Sequence, residues 1–147
     1  PNQLFALGLC FPLIKGKQAR SVLQIVQEKL LTPYGLRSLA PDDANYKGTY
    51  AGNIKQRDGA YHQGTVWSWL IGPYIDALFN NYNKKAASIM AQQAIKPLII
   101  HLNDAGIGSI SEIFDGDAPH APRGCIAQAW SVGEILRVIR QYKLKHF

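Results

Sequence analysis

Three features of the sequence predict an all-α fold. Five stretches carry apolar residues at helical spacing, no stretch reads as a confident strand, and the two longest unpatterned segments fall between helices. The first helix is short, with Asn2 as its cap and Leu4, Phe5, Leu7 and Leu9 apolar up to about Cys10. Lys17 to Leu31 is amphipathic: Val22, Leu23, Ile25, Val26 and Leu30 oppose Gln24, Gln27, Glu28 and Lys29. Thr32-Pro33 then ends it. Gly64 to about Tyr82 is apolar nearly all round, the pattern of an enclosed helix, with a kink expected at Gly72-Pro73. Lys85 to Asn103 is amphipathic through Ile89, Met90, Ile95, Leu98, Ile99 and Leu102, and Pro97 is a second expected kink. The last helix, about Cys125 to Tyr142, carries Ile126, Ala129, Trp130, Val132, Ile135, Leu136, Val138 and Ile139.

The connections carry the functional signal. Residues 32 to 63 and 104 to 124 are both longer than ordinary connectors, whereas the other two links are short. If consecutive helices are antiparallel, both long loops leave the array at one end, and the N-termini of the third and fifth helices point there too. Long loops on a rigid scaffold are where function concentrates. The first loop holds Tyr34, Asp42, Asp43, Tyr46, Tyr50, Arg57, Asp58, Tyr61, His62 and Gln63. The second holds Glu112, Phe114, Asp115, Asp117, His120 and Arg123. Carboxylates, amides and exposed rings suit a sugar. Hydroxyls take polar partners, the C–H face of the ring takes an aromatic platform, and a glycosidic bond needs two carboxylates for its hydrolysis.

Composition narrows the other classes. The 147 residues are 47% hydrophobic and 18% charged, ordinary for a folded domain with its own core. No apolar run is long enough to span a membrane. A net charge of +6 raises nucleic acid as a partner, but the basic residues are scattered. Only Arg137, Arg140, Lys143 and Lys145 approach a cluster, and there they complement the C-terminal end of the last helix. No nucleic acid and no membrane is expected as partner. The four histidines, His62, His101, His120 and His146, lack metal spacing, so neither metal nor cofactor is expected. Gly106-Ile107-Gly108-Ser109 reads as a helix C-cap and not as a dinucleotide loop. Cys10 and Cys125 show no C-x-x-C spacing and read as buried free thiols, which implies a cytoplasmic location. The opening Pro1-Asn2-Gln3 reads as the start of a piece of a longer chain.

Three blocks then carry a specific resemblance: PNQLFALGL (residues 1–9) with LLTPYGLRSLAPDD (30–43), RDGAYHQGTVWSWLIGPYIDA (57–77), and GIGSISEIFDGDAPHAPRGCIAQAWSVGEILR (106–137). Together they resemble the C-terminal end of bacterial and archaeal glycogen debranching enzymes, the amylo-α-1,6-glucosidase domain. The resemblance implies that residues 1–147 are one piece, the C-terminal portion of an (α/α)6 toroid with the first, third and fifth helices inside. It also implies an inverting hydrolase acting on α-1,6 branch linkages of a glycogen-like α-glucan.

Residue roles follow from the same resemblance. Glu112 falls at the position of the general base, with Asp115 and Asp117 as alternatives or as hydroxyl-binding neighbours. The general acid is expected upstream of Pro1, and Asp58 is the internal stand-in. Tyr61, His62, Gln63, Trp67, Asp58 and Gln128 are expected to bind substrate, although Trp67 and Trp130 also suit a core. Arg37, Asp42, Asp43 and Arg57 either bind substrate or pair with one another. The competing reading is a carbohydrate-binding or regulatory helical module without catalysis. The isolated chain is expected to be inactive and to self-associate through Leu4, Phe5, Val132 and Ile139.

Overall fold

The computed structural model describes residues 1–145; His146 lies outside them. Among the described residues there are six α-helices: α1 Phe5–Gly8, α2 Gly16–Ile25, α3 Ile54–Tyr61, α4 Ile71–Asn81, α5 Lys84–His101 and α6 Ala129–Tyr142. Five short strands join them: β1 Leu31–Thr32, β2 Gly35–Arg37, β3 Val66–Trp67, β4 Ile113–Phe114 and β5 Pro122–Arg123. They form a single antiparallel sheet in chain order.

This sheet overturns the all-α expectation, including its (α/α)6 form. The physical reason lies in the two long loops. The first contributes β2 and the second β4 and β5, whose backbone amides and carbonyls need partners, and β3 stands between β2 and β4 and pairs with both. Leu36 stands opposite Trp67, Val66 opposite Phe114, and Ile113 opposite Arg123. The run Gly64 to Tyr82 is therefore not one helix. Val66–Trp67 is a strand, Ser68–Leu70 a single 3-10 turn, and α4 begins only at Ile71. Pro73 thus sits in the first turn of α4, where its missing N–H costs nothing, and the kink expected at Gly72-Pro73 does not arise.

Other boundaries move less. Asn2 opens a 3-10 turn, Asn2–Leu4, and caps nothing with its side chain. α2 ends in a π-turn, Val26–Leu30, directly before β1. α5 runs unbroken through Pro97. Gly108 donates its N–H to the Leu102 carbonyl (2.7 Å) in the turn that follows α5. α3 lies inside the first long loop, where no helix is expected. It has no apolar stripe and buries only Ala60, but Asn53 and Gln56 form a reciprocal capping box at its start.

The core gathers around α4, whose Ile71, Tyr74, Ile75, Ala77 and Leu78 are buried against Leu4 and Leu7, Leu23 and Val26, Ala91 and Ile95, and Ile135 and Val138. Arg137 of α6 locks the array from outside. It forms a two-pronged pair with Asp76 (3.1 and 2.7 Å) and also binds Glu134, while Tyr142 donates to Asp76 (2.8 Å) and stacks on Phe79 at 3.8 Å. Arg137 is therefore no free member of a basic tail. Leu4 is wholly buried, and Val132 and Ile139 are partly covered. Phe5 remains 36% exposed, and the most open apolar side chains are Phe11, Leu13 and Ile107. No helix among the described residues is long and apolar enough to cross a membrane.

Candidate functional site

The sheet brings the two long loops to one place. Glu112 directly precedes β4 and is 8% exposed. Its backbone N–H bonds the Cys125 carbonyl (2.9 Å), which fixes the loop after β5 beside it. One carboxylate oxygen, Oε1, accepts a hydrogen bond from the Tyr61 hydroxyl at the end of α3. The other, Oε2, accepts the Cys125 N–H at 2.8 Å. Burial opposes the charge, but the Tyr61 hydroxyl and the Cys125 N–H outweigh it and hold the carboxyl below the usual glutamate range. In return, burial and then Glu112 push the Tyr61 phenol well above its ordinary range. Glu112 is thus ionised at neutral pH, with lone pairs on both oxygens left for a further donor.

Gly124 makes room for this carboxylate. Its φ is +67°, and a Cβ there would lie 2.5 Å from Glu112 Oε2 and 2.9 Å from Ile113 Cγ1. Gly124→Ala is accordingly expected to displace Glu112 and to strain the backbone by about 1–2 kcal/mol. The urea midpoint should therefore fall at unchanged slope. An unchanged midpoint would mean that Gly124 is not needed to accommodate this carboxylate.

Asp115 and Asp117 are engaged otherwise. Asp115 is buried, accepts the Tyr50 N–H (2.8 Å) on one oxygen and holds Arg123 Nε (3.1 Å) and Nη2 (2.9 Å) on the other. It ties the first long loop to the second. Asp117 is exposed and accepts the Tyr46 hydroxyl at 2.9 Å. Among the three, Glu112 alone is both enclosed and free of a cationic partner in hydrogen-bond contact.

Next to Glu112 lies a wall of rings. Tyr61 packs edge-on against Trp67 at 4.7 Å, and His62 stacks on Trp67 at 5.4 Å with the planes 3° apart. Trp67 meets Trp130 edge-on at 6.0 Å, and Trp130 stacks on Trp69 at 5.8 Å. Pro1, Asn2, Ser38, His62, Trp67, Trp69, Leu70 and Trp130 line an open cavity of about 370 Å³. Tyr61 bridges cavity and carboxylate, its ring against Trp67 and its hydroxyl on Glu112. Trp67 is 5% exposed and donates Nε1–H to the Tyr61 carbonyl (3.1 Å), whereas Trp130 is 48% exposed. Trp130 therefore lies half-open at the cavity and is not the core residue that its helical pattern suggested. Trp69 was not singled out in the sequence because it lay inside the run read as one helix.

Tyr61, His62, Trp67 and Glu112 are thus brought together. Gln63 is exposed, and only its backbone is used, in bonds to Ala60 and Lys47. Asp58 is exposed on α3. Gln128 caps α6, its side chain accepting the Ala129 N–H. Arg37 donates to the carbonyls of Gly116 (2.8 Å) and Lys29 (3.3 Å), and Asp42 pairs with Lys29 (2.8 Å). The four loop charges therefore do not pair among themselves. Cys10 and Cys125 are exposed, not buried, because each lies on an irregular segment outside the helices. No group of His, Cys, Asp and Glu among the described residues could hold a metal ion.

A family model described as amylo-alpha-1,6-glucosidase matches residues 1–137. The glycogen debranching enzyme of Saccharomyces cerevisiae is 27% identical over an alignment that covers 89% of this chain. The chain spans 10% of that relative's length.

Proposed function

Because the chain belongs to the amylo-alpha-1,6-glucosidase family, we propose that it forms part of an inverting hydrolase that cleaves α-1,6-glucosidic branch linkages of a glycogen-like glucan, with Glu112 as general base. The observation that carries this reading is Glu112 itself, an enclosed carboxylate held ionised by Tyr61 and Cys125 beside a wall of aromatic rings. In this reaction Glu112 takes a proton from a water molecule as that water attacks the anomeric carbon. A carboxylic acid on the opposite face protonates the departing oxygen. In inverting enzymes the two carboxyl groups stand about 6.5–9.5 Å apart, leaving space for the water.

The family resemblance assigns the acid to a part of the full-length enzyme outside these 147 residues, at that separation and not in hydrogen-bond contact with Glu112. The rings of His62, Trp67, Trp69 and Trp130 supply apolar faces for a glucosyl unit. Neither cofactor nor metal is required. The test is the anomeric form of the first glucose released from a branched α-glucan by the full-length enzyme, followed by proton NMR. β-Glucose appearing before mutarotation supports the reading. α-Glucose, or no glucose from branch stubs, refutes it.

A further inference from the structure

We propose that Tyr61 is the positioning residue of this site, its hydroxyl fixing the Glu112 carboxylate in one rotamer. The inference rests on Glu112 being the base, and it goes beyond that assignment by naming what makes Glu112 competent. Three observations converge on it. The phenol donates to Oε1, so the carboxylate has one defined orientation. Oε2 is held independently by the Cys125 N–H and is bounded by Gly124, which leaves no slack on the other side. The Tyr61 ring is itself clamped between Tyr50 at 5.7 Å and Trp67 at 4.7 Å, and its carbonyl accepts the Trp67 indole.

The titratable groups facing Glu112 are accounted for. Tyr61 comes from α3 and the Cys125 thiol from the loop after β5, while Tyr50 faces Tyr61 from the first long loop. Glu112 raises the Cys125 thiol above its usual range, so that thiol remains protonated and supplies no opposing charge at neutral pH. Tyr61 is then the main side-chain donor that keeps this carboxylate charged. Without the hydroxyl, burial would act on Glu112 with less opposition, and its proton affinity would rise.

Tyr61→Phe keeps the ring and its packing and removes only the hydroxyl. In the full-length enzyme the acidic limb of the kcat/KM profile reports the base of the free enzyme, and this limb is expected to move to higher pH. At a pH on that limb, kcat/KM should fall about tenfold or more relative to the unaltered enzyme, the loss of a hydrogen bond to a charged group. The loss should be clearly smaller on the neutral plateau. Melting temperature serves as the second readout, because a purely structural role would lower it and depress activity equally at every pH. An unmoved acidic limb in Tyr61→Phe, with Glu112→Gln inactive, overturns this inference alone. Retained turnover in Glu112→Gln overturns the assignment of the base as well.

Discussion

Glu112→Gln in the full-length enzyme is expected to lower kcat on a branched α-glucan by at least about 100-fold, with KM little changed. Glutamine keeps the shape, but its single carbonyl oxygen can take the place of only one of the two oxygens that accept from Tyr61 and Cys125, and it cannot take a proton from water. General-base assistance is typically worth about 10² to 10⁴ in rate, or roughly 3 to 5.5 kcal/mol. Asp115→Asn and Asp117→Asn should behave differently. The first loosens the Tyr50–Arg123 tie and so costs stability, and the second removes only an exposed acceptor of Tyr46. Azide needs no deprotonation, so it should restore part of the turnover of Glu112→Ala and give a glycosyl azide of inverted configuration. Near-normal turnover in Glu112→Gln, with Asp115→Asn dead but folded, would move the base to Asp115.

The largest effect on stability is expected at Phe114. It is wholly buried in β4, stacked on Tyr34 at 4.5 Å and edge-on to His101 at 4.8 Å. His101 in turn meets the Ser111 hydroxyl at 3.1 Å. Phe114→Ala leaves a ring-sized void that these neighbours cannot close, and such truncations cost about 3–5 kcal/mol. The urea midpoint should fall at unchanged slope. Trp130→Ala, on a half-exposed ring, is the contrasting variant and should shift the midpoint far less. Equal shifts for the two would show that the sheet is not where the packing energy lies. Because Glu112 and Phe114 flank Ile113, Phe114→Ala should also lower activity.

Long apolar periods made α2, α5 and α6 legible. Leu23, Val26 and Leu30 are buried as their spacing indicated, while Ile25 from the same predicted stripe is 49% exposed. The strands were not legible because each is two or three residues long, too short for alternation to show. Val66-Trp67 is β-branched and aromatic, as strands favour, but its apolar continuation into α4 hid the break. The Asn53–Gln56 capping box was a signal for α3 that apolar spacing could not supply. As for the site, the convergence of the two loops could be anticipated from loop length, whereas the role proposed for Glu112 rests on family resemblance and not on any spacing in the sequence. The Tyr61 bond to Glu112 could not be anticipated, since it spans 51 positions and depends on the register of β3 against β4.

The order of the sheet also bears on how the chain reaches its folded form. β1 and β2 are close in sequence, but β2 meets β3 and β3 meets β4 only across long intervening segments. Such pairings carry a loop-closure cost that must be met before any ladder bond forms, and chains dominated by distant pairings fold slowly. Local helices such as α5 and α6 can form first and hold the loop ends near one another. The segment that carries Glu112 then docks late, and by the same reasoning it opens early. Amide hydrogen exchange should therefore be faster at residues 112–115 than in the middle of α4, giving this site a lower free energy of opening than the core that supports it.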